Sequence, residues 1–396
     1  MKICFWGNIA GALKGNTGGG GELQLALVAK ALARGGNEVV IIDYETKEDF
    51  ITNEGIKIYK IKGWNDGIKI IRTFTHRLPL LYKSLKAQKA DIYYCRIRDF
   101  RHIIAFWASR KVKAKFVLGL ASDLDAMNFW MRFKYNHMVS PVGLWAFSNG
   151  LLIEMVYPFL LRKSDLVLTQ HEGQKLLLSN KHINSRVFPN LFEQPEAPPV
   201  SLNDKKDFIY VGWLDKRKGF RAFFDIIKKS PGYTFKIVGP PSDKTGFRLY
   251  EKLKSFPNVT LLGKLRLKET LYQIANSKAL ISTSAMEGFP NIFIEAWSCG
   301  IPVLSLYVDP GSIIKREKLG ETTQGNIEKM LLTMENVDSS IAFQNRARAY
   351  VENYHSLSIK KIVEVNRLFN DLLMNQKGEN ELPSCPKHLI NPNPQV

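Results

Sequence analysis

Two carboxylates, Glu287 and Glu295, stand on either side of a proline in Thr283-Ser-Ala-Met-Glu-Gly-Phe-Pro-Asn-Ile-Phe-Ile-Glu-Ala-Trp-Ser-Cys-Gly-Ile-Pro-Val. Pro290 suits a first helical position, Gly300 the position just past a helix end, and Pro302 a stop, so a helix of about three turns is expected between them. Glu287 then falls in the loop ahead of the helix and Glu295 inside it. The amides of Asn291 and Ile292 have no carbonyl to bond within the helix. With the positive helix end behind them they offer a seat for a phosphate or pyrophosphate. Glu295 lies roughly 7.5 Å further along the axis, at ~1.5 Å per residue. A diphosphate at the helix start therefore leaves a ribose within reach of Glu295 and a sugar within reach of Glu287. One helix can hold the three parts of a nucleotide-sugar; the alternative is an ordinary helix with two solvated carboxylates.

Glycines gather in Gly15-Asn-Thr-Gly-Gly-Gly-Gly-Glu-Leu, after the apolar run 2–6. Lacking a Cβ, glycine lets backbone approach a ligand closely. Asp43 ends a second apolar run about twenty residues later, as a nicotinamide-dinucleotide fingerprint requires, but the glycines begin too far from Trp6 and lack the G-x-G-x-x-G spacing. A plain flexible turn is the other reading. Basic residues cluster in Val211-Gly-Trp-Leu-Asp-Lys-Arg-Lys-Gly-Phe, where Lys218 precedes Gly219.

Glu287-x7-Glu295 with Gly288, Phe289 and Pro290, followed by Gly300-Ile-Pro-Val, resembles the signature of glycosyltransferase family 4, retaining enzymes with the GT-B fold. The resemblance covers most of the chain. It implies that Glu295 binds ribose hydroxyls, that Glu287 approaches the donor sugar, and that Asn291 and Ile292 face the diphosphate. Gly19 and Gly20 match the family's glycine loop beside donor and acceptor. Lys218 matches a lysine on the donor pyrophosphate, where a cation stabilises the leaving diphosphate without a metal. An arginine common in the family just after the strand glycine is Trp213 here, leaving Arg217 or Lys216 to compensate. Gly239, Gly263 and Leu265 match strand-end loops that hold the nucleotide base. A histidine usual near the sugar is missing from Phe116-Val-Leu-Gly-Leu-Ala-Ser-Asp-Leu-Asp, so Asp123, Asp125 and His171 are the acceptor-side candidates. Asp123-Leu-Asp125 also spells the D-x-D of metal-dependent, single-domain glycosyltransferases; the twin α/β layout and the glutamate helix oppose that reading. The expectation is therefore no metal and no cofactor, with the nucleotide-sugar as co-substrate.

Elements to position these residues are visible along the chain. Apolar runs at 2–6, 39–43, 91–95, 115–120 and 165–169 alternate with helical or loop sequence, as do later runs at 208–211, 234–238, 259–262 and 279–283. Four prolines between 189 and 199 break the alternation. The expected fold class is α/β of GT-B type: two Rossmann-like doubly wound domains facing each other across a cleft. Residues 1–190 form the acceptor-binding domain, 191–207 the linker and 208–355 the nucleotide-sugar domain. A helix at 356–375 returns to the first domain, and 376–396 is a disordered tail.

With 396 residues, 45% hydrophobic and 23% charged, the chain has the composition of a folded two-domain protein. Its four cysteines, Cys4, Cys95, Cys299 and Cys385, form no CxxC pair, arguing against disulfide and zinc frameworks. No basic leader and apolar run opens the sequence, so a cytoplasmic protein is expected. The lipophilic window 139–161 contains Pro141, Glu154 and Pro158, and reads as a buried or interfacial helix rather than a membrane span. A net charge of +19 predicts anionic partners. Between Lys47 and Lys115 there are 17 Lys or Arg and 6 Asp or Glu. There Ile71, Phe74, Leu78, Leu81, Tyr82 and Leu85 recur at helical spacing, although Pro79 should break or kink the segment. Together with Phe129, Trp130, Arg132 and Phe133 this stretch suggests peripheral contact with the inner face of an anionic membrane. No nucleic-acid-binding signature accompanies the charge.

These features point to transfer of a sugar from a nucleotide-sugar to a glycan or lipid-linked glycan in cell-surface polysaccharide biosynthesis. A GT-B nucleotide-sugar epimerase and a non-catalytic assembly subunit are the alternatives.

Overall fold

The computed structural model describes residues 1–15, 19–132, 144–194 and 205–374. Residues 16–18 of the glycine loop, Phe133, 139–143 of the lipophilic window, 195–204 of the expected linker and the 376–396 tail with Cys385 lie outside the described residues.

Two parallel sheets organise the chain. In the first, β1 (Lys2–Trp6), β2 (Glu38–Asp43), β3 (Phe50–Ile51), β4 (Lys57–Lys60), β5 (Ile92–Arg96), β6 (Lys115–Gly119), β7 (Leu166–Thr169) and β8 (Ser185–Val187) run in the order β3-β4-β2-β1-β5-β6-β7-β8. Only the β3–β4 pair is antiparallel. In the second, β9 (Phe208–Val211), β10 (Phe235–Val238), β11 (Val259–Gly263), β12 (Ala279–Ser282), β13 (Val303–Ser305) and β14 (Gly320–Thr322) run in the order β11-β10-β9-β12-β13-β14. In both sheets the order reverses beside the first strand, between β1 and β5 and between β9 and β12. A doubly wound sheet opens a crevice at the carboxyl ends of its strands at that point.

Helices cover both faces of each sheet, so the strands read as continuous apolar runs. Along β1, Cys4 and Trp6 pack on one face with Leu81 and Leu85 of the Leu78–Gln88 helix. Ile3 and Phe5 pack on the other face with Leu25, Val28 and Leu32 of the Gly20–Arg34 helix. In the second domain the Asn291–Ser298 helix buries Phe293, Ile294 and Trp297 against one face of its sheet.

Residues 191 and 192 do not form a loose linker. Leu191 belongs to the first core and Phe192 to the second. Phe192 receives a hydrogen bond at 2.8 Å from the amide of Leu357 and donates one at 2.7 Å to the carbonyl of His355. The outgoing and returning strands of chain are thus tied side by side. The Ile359–Met374 helix then sets Val365 and Phe369 into the first core.

Pro79 stands where helical type changes: the π-helical turn Thr73–Arg77 gives way to the α-helix Leu78–Gln88, in whose first turn the missing N–H of Pro79 is harmless. The Leu144–Lys163 helix contains Pro158, and among the described residues no helix is long and apolar enough to cross a membrane. Cys4, Cys95 and Cys299 are buried free thiols.

Candidate active site

The loop after β9 and the loop after β12 meet at the switch point of the second sheet. Asp215, almost fully buried, organises the first of them: its carboxylate accepts the Lys218 amide at 2.9 Å, the Ser242 hydroxyl at 3.0 Å and the Arg217 guanidinium at 2.9 Å. Burial alone would raise this carboxyl; the Lys218 amide and the Arg217 cation hold it below the usual carboxylate range. Gly219 has φ +65°, and a Cβ there would lie 1.9 Å from the carbonyl oxygen of Thr283. The two loops approach that closely because residue 219 is glycine. The Thr283 hydroxyl in turn donates to the Lys218 carbonyl at 3.0 Å. Lys218 is thereby aimed across the gap, and its ammonium is ion-paired with the Glu287 carboxylate.

The Asn291–Ser298 helix starts one residue later than the spacing suggested and is eight residues long. Pro290 is its N-cap at φ −64° and ψ 122°, an extended conformation that leaves the amides of Asn291 and Ile292 at the open end. Glu295 is partly buried one turn in, and no described residue donates a hydrogen bond or an ion pair to its carboxylate. Desolvation pushes that carboxyl up to about 7. Glu287 and Glu295 thus flank the helix start in different states, one paired and one unpaired.

The first domain presents a second helix start to the same place. Gly19 is the N-cap of the Gly20–Arg34 helix, and the Gly20 carbonyl accepts from the Asn291 side chain at 3.3 Å. A Cβ on Gly20 would lie 2.9 Å from the Asn291 Nδ2, and one on Gly21 2.5 Å from Ile97. The positive ends of one helix from each domain therefore share the cleft. The Asn291 side chain is committed to the first domain, its Oδ1 accepting from Gln24 at 3.1 Å and Asn190 at 2.9 Å; only its backbone amide is left for a ligand. Gly288 is wedged between the domains, where a Cβ would stand 1.9 Å from Gln170 Oε1 and 2.9 Å from the Ala121 carbonyl. Phe289 is buried against Trp297 and His355.

Of the acceptor-side candidates, Asp123 and His171 come together and Asp125 does not join them. Asp123 accepts from His171 Nε2 at 2.9 Å and from Gln174 at 2.9 Å, and its amide donates to the Glu287 carbonyl at 3.1 Å. Asp125 is turned inward: its Oδ2 caps the amides of Ala121 and Ser122, and its Oδ1 pairs with Arg98 at 3.1 Å. Two positions apart within the single turn Asp123–Ala126, the two carboxylates lie about 200° apart around the axis, at about 100° per residue. Among the described residues no group of three or more His, Cys, Asp or Glu could hold a metal ion.

Gly239 and Gly263 are in contact, the amide of the former donating to the carbonyl of the latter at 2.7 Å, and Leu265 packs partly buried on the second core. Trp213 is exposed at 40% with its carbonyl held by the Tyr210 hydroxyl. Arg217 is tied back to Asp215, while Lys216 is solvent-exposed.

Residues 193–322 match the model for glycosyl transferases group 1. The second domain is a group 1 glycosyl transferase domain, in a chain of GT-B fold. An uncharacterized glycosyltransferase of Haemophilus influenzae is 23% identical over 363 residues, 87% of this chain and 94% of that protein. The lipopolysaccharide 1,6-galactosyltransferase of Escherichia coli K12 is 23% identical over 76% of this chain and 85% of its own length. The Anabaena protein HepE, solved in complex with UDP, superposes with a TM-score of 0.63 at 15% identity, covering 94% of this chain and all of that one.

A buried amide hub between the domains left no pattern in the sequence. Gln24 exchanges hydrogen bonds with the Leu191 backbone at 2.8 and 2.9 Å. Asn190 Oδ1 accepts from Arg96 at 2.8 Å and Gln170 at 3.0 Å, while its Nδ2 donates to the Phe289 carbonyl at 2.8 Å. The one legible hint is Gln24, a polar residue on the apolar side of its helix.

Proposed function

We propose that this glycosyltransferase is a retaining, metal-independent enzyme that moves a hexose from a nucleoside-diphosphate sugar to a glycan, lipid-linked at a membrane surface, in cell-surface polysaccharide assembly. The observation that carries the reading is the unpaired, desolvated Glu295 carboxylate one turn inside a helix whose open amides face a second helix start, with Lys218 and Glu287 beside them. Ribose hydroxyls can satisfy Glu295. The amides of Asn291 and Ile292, with the two helix ends, take the diphosphate. As the sugar–phosphate bond breaks, negative charge grows on the departing phosphate. Lys218 exchanges Glu287 for that phosphate, and Glu287 is freed to hold the sugar. The acceptor hydroxyl loses its proton to the leaving phosphate on the face it attacks, which keeps the anomeric configuration. His171, oriented by Asp123, takes the place beside the sugar that a histidine after β6 would have filled.

The UDP in HepE and the galactosyl transfer named for the E. coli relative support this donor and reaction class. For the membrane, support comes from Leu151, Met155 and Phe159, 51%, 67% and 41% exposed on successive turns of Leu144–Lys163, beside Trp107 at 52%. Lys111, Arg162 and Lys163 are exposed at the ends of these helices. Arg132 does not contribute to that surface, because it is buried against Glu154.

Saturation-transfer NMR against a panel of nucleotide-sugars, followed by transfer assays with and without glycan acceptors, tests the reading. A binding nucleotide-sugar whose turnover needs an acceptor and survives EDTA is expected. Turnover with donor alone would mark an epimerase, and activity lost in EDTA and restored by manganese would overturn metal independence.

A further inference from the structure

A cavity of about 710 Å³ lies away from the glutamate helix, beside the carboxyl ends of β2 and β4 in the first domain. Tyr44, partly exposed, forms its apolar wall and is backed by the buried Trp64, the two rings stacked with centroids 5.0 Å apart and planes 25° apart. Arg101 braces this wall, its guanidinium 5.4 Å from the Tyr44 ring and 6.0 Å from the Trp64 ring, and Asp99 neutralises it through bonds of 2.8 and 2.9 Å. Arg77 is placed differently. It lies 5.3 Å over Trp64, but its hydrogen bonds go to the Trp64 carbonyl at 3.0 Å and the Asn65 side-chain oxygen at 2.8 Å, both neutral. No described carboxylate pairs with it.

The pocket is built rather than incidental. Arg72 donates to the Asn65 carbonyl at 2.9 Å and the His76 ring meets the Gly63 carbonyl at 2.8 Å, so the π-helical turn clamps the loop that carries Trp64. At the rim, Lys60 is fixed to the Lys47 carbonyl at 2.7 Å, and the Glu45 carboxylate is taken by the Asn8 amide. Partial burial and the nearby Arg72 and Arg101 cations act against the charge of Arg77, the condition an arriving anion relieves. The pocket also shares the edge that carries the donor site. Asn8 belongs to the loop after β1, whose Ile9 and Ala10 amides are anchored on Asp43 at 3.1 and 3.0 Å, and the same loop leads to Gly19 and Gly20 in the cleft.

We propose that this pocket binds an anionic sugar unit of the acceptor glycan, with its ring against Tyr44 and its carboxylate or phosphate on Arg77. The proposal rests on the reading of the chain as a glycan-extending transferase. It adds that the acceptor is acidic and that a unit away from the reacting hydroxyl is recognised here.

Saturation-transfer titrations of the full chain with methyl glucuronide and with glucose 6-phosphate separate the two sources of charge; methyl glucoside and inorganic phosphate are the controls. At least one charged sugar should bind saturably, with both controls at least about tenfold weaker, the loss expected when a charge-assisted hydrogen bond is removed. Arg77→Gln should weaken the charged sugar by a similar factor, and Arg77→Lys should restore part of it. Equal binding of neutral and charged sugars, phosphate binding as well as the sugars, or an unchanged Arg77→Gln would each overturn the proposal. A UDP thermal shift on every sample reports folding and the donor site separately. A chain that binds UDP but no charged sugar refutes this pocket alone, and one that binds the charged sugar through Arg77 but no UDP refutes the donor reading alone. If Arg77→Gln does not fold, Arg77→Lys carries the same comparison, and charged-sugar affinity equal to that of the unaltered chain would overturn the contact with the guanidinium fork.

Discussion

Glu295 is a carboxyl held in a partly desolvated place with no hydrogen-bond donor among the described residues, and two consequences follow from its raised affinity for a proton. The folded chain keeps that proton where the unfolded chain has released it. Its favourable contribution to folding is therefore complete below about pH 4.5 and lost as pH rises through about 7, a change of at most about 3 kcal/mol. Ribose hydroxyls that donate to the carboxylate favour its charged form, so UDP should bind more tightly as pH rises across that window. Calorimetry between about pH 5.5 and about 8 should show this slope, with Glu295→Gln flattening it; parallel profiles would remove Glu295 from the ribose. Lys218 and Glu287 part company on donor binding, so their variants should differ. Lys218→Ala should lower kcat by about 100-fold or more and weaken UDP, as for loss of a charge-stabilising donor. Glu287→Ala should lower kcat while UDP affinity survives. Steady-state kinetics beside UDP titration distinguish the two, and equal loss of UDP affinity in both would contradict the division of roles.

At the scale of elements, the site depends on how closely two strand-end loops approach. Gly219 combines φ +65° with the Thr283 carbonyl where a Cβ would stand, whereas Gly36, at φ +81°, has nothing within 4 Å. Gly36→Ala should therefore cost only backbone strain, about 1 kcal/mol. Gly219→Ala must in addition push the loops apart, so it should cost clearly more and displace Lys218. Urea unfolding of both variants, with transfer activity measured alongside, checks this; equal stability loss would mean that the loops are not held as close as the backbone geometry implies. The β1 and β9 bounds were readable from their apolar runs, because a strand covered on both faces has no polar interruption. β3 and β14, with two and three residues, are too short to carry a period, and β4 is only Ile58 and Tyr59 between Lys57 and Lys60. They are strands because neighbouring strands offer them partners.

Across the whole molecule, the two domains are coupled through polar side chains at the hinge while the first domain turns an apolar and basic surface outward. Vesicle binding should rise with anionic lipid content and fall with salt, since each basic residue near the surface adds about 1 kcal/mol. Paired Leu151→Ser and Met155→Ser substitutions should reduce it without changing UDP affinity. Sedimentation with neutral and anionic vesicles measures this, and no preference between them would count against a membrane role.

The sequence by itself determined the chemistry-bearing set and its local order. Glu287 and Glu295 fall either side of a helix start because proline and glycine punctuate the chain there, and that spacing is a local property. Only the tertiary structure decided which polar groups remain available. Gln24 meets Asn291 across 267 positions, Asp123 meets His171 across 48, and Asp125 is spent on its own turn and on Arg98. Hydrogen bonds of that range leave no periodicity in a sequence, because the partner's type is constrained only once packing has brought both donors and acceptors out of water.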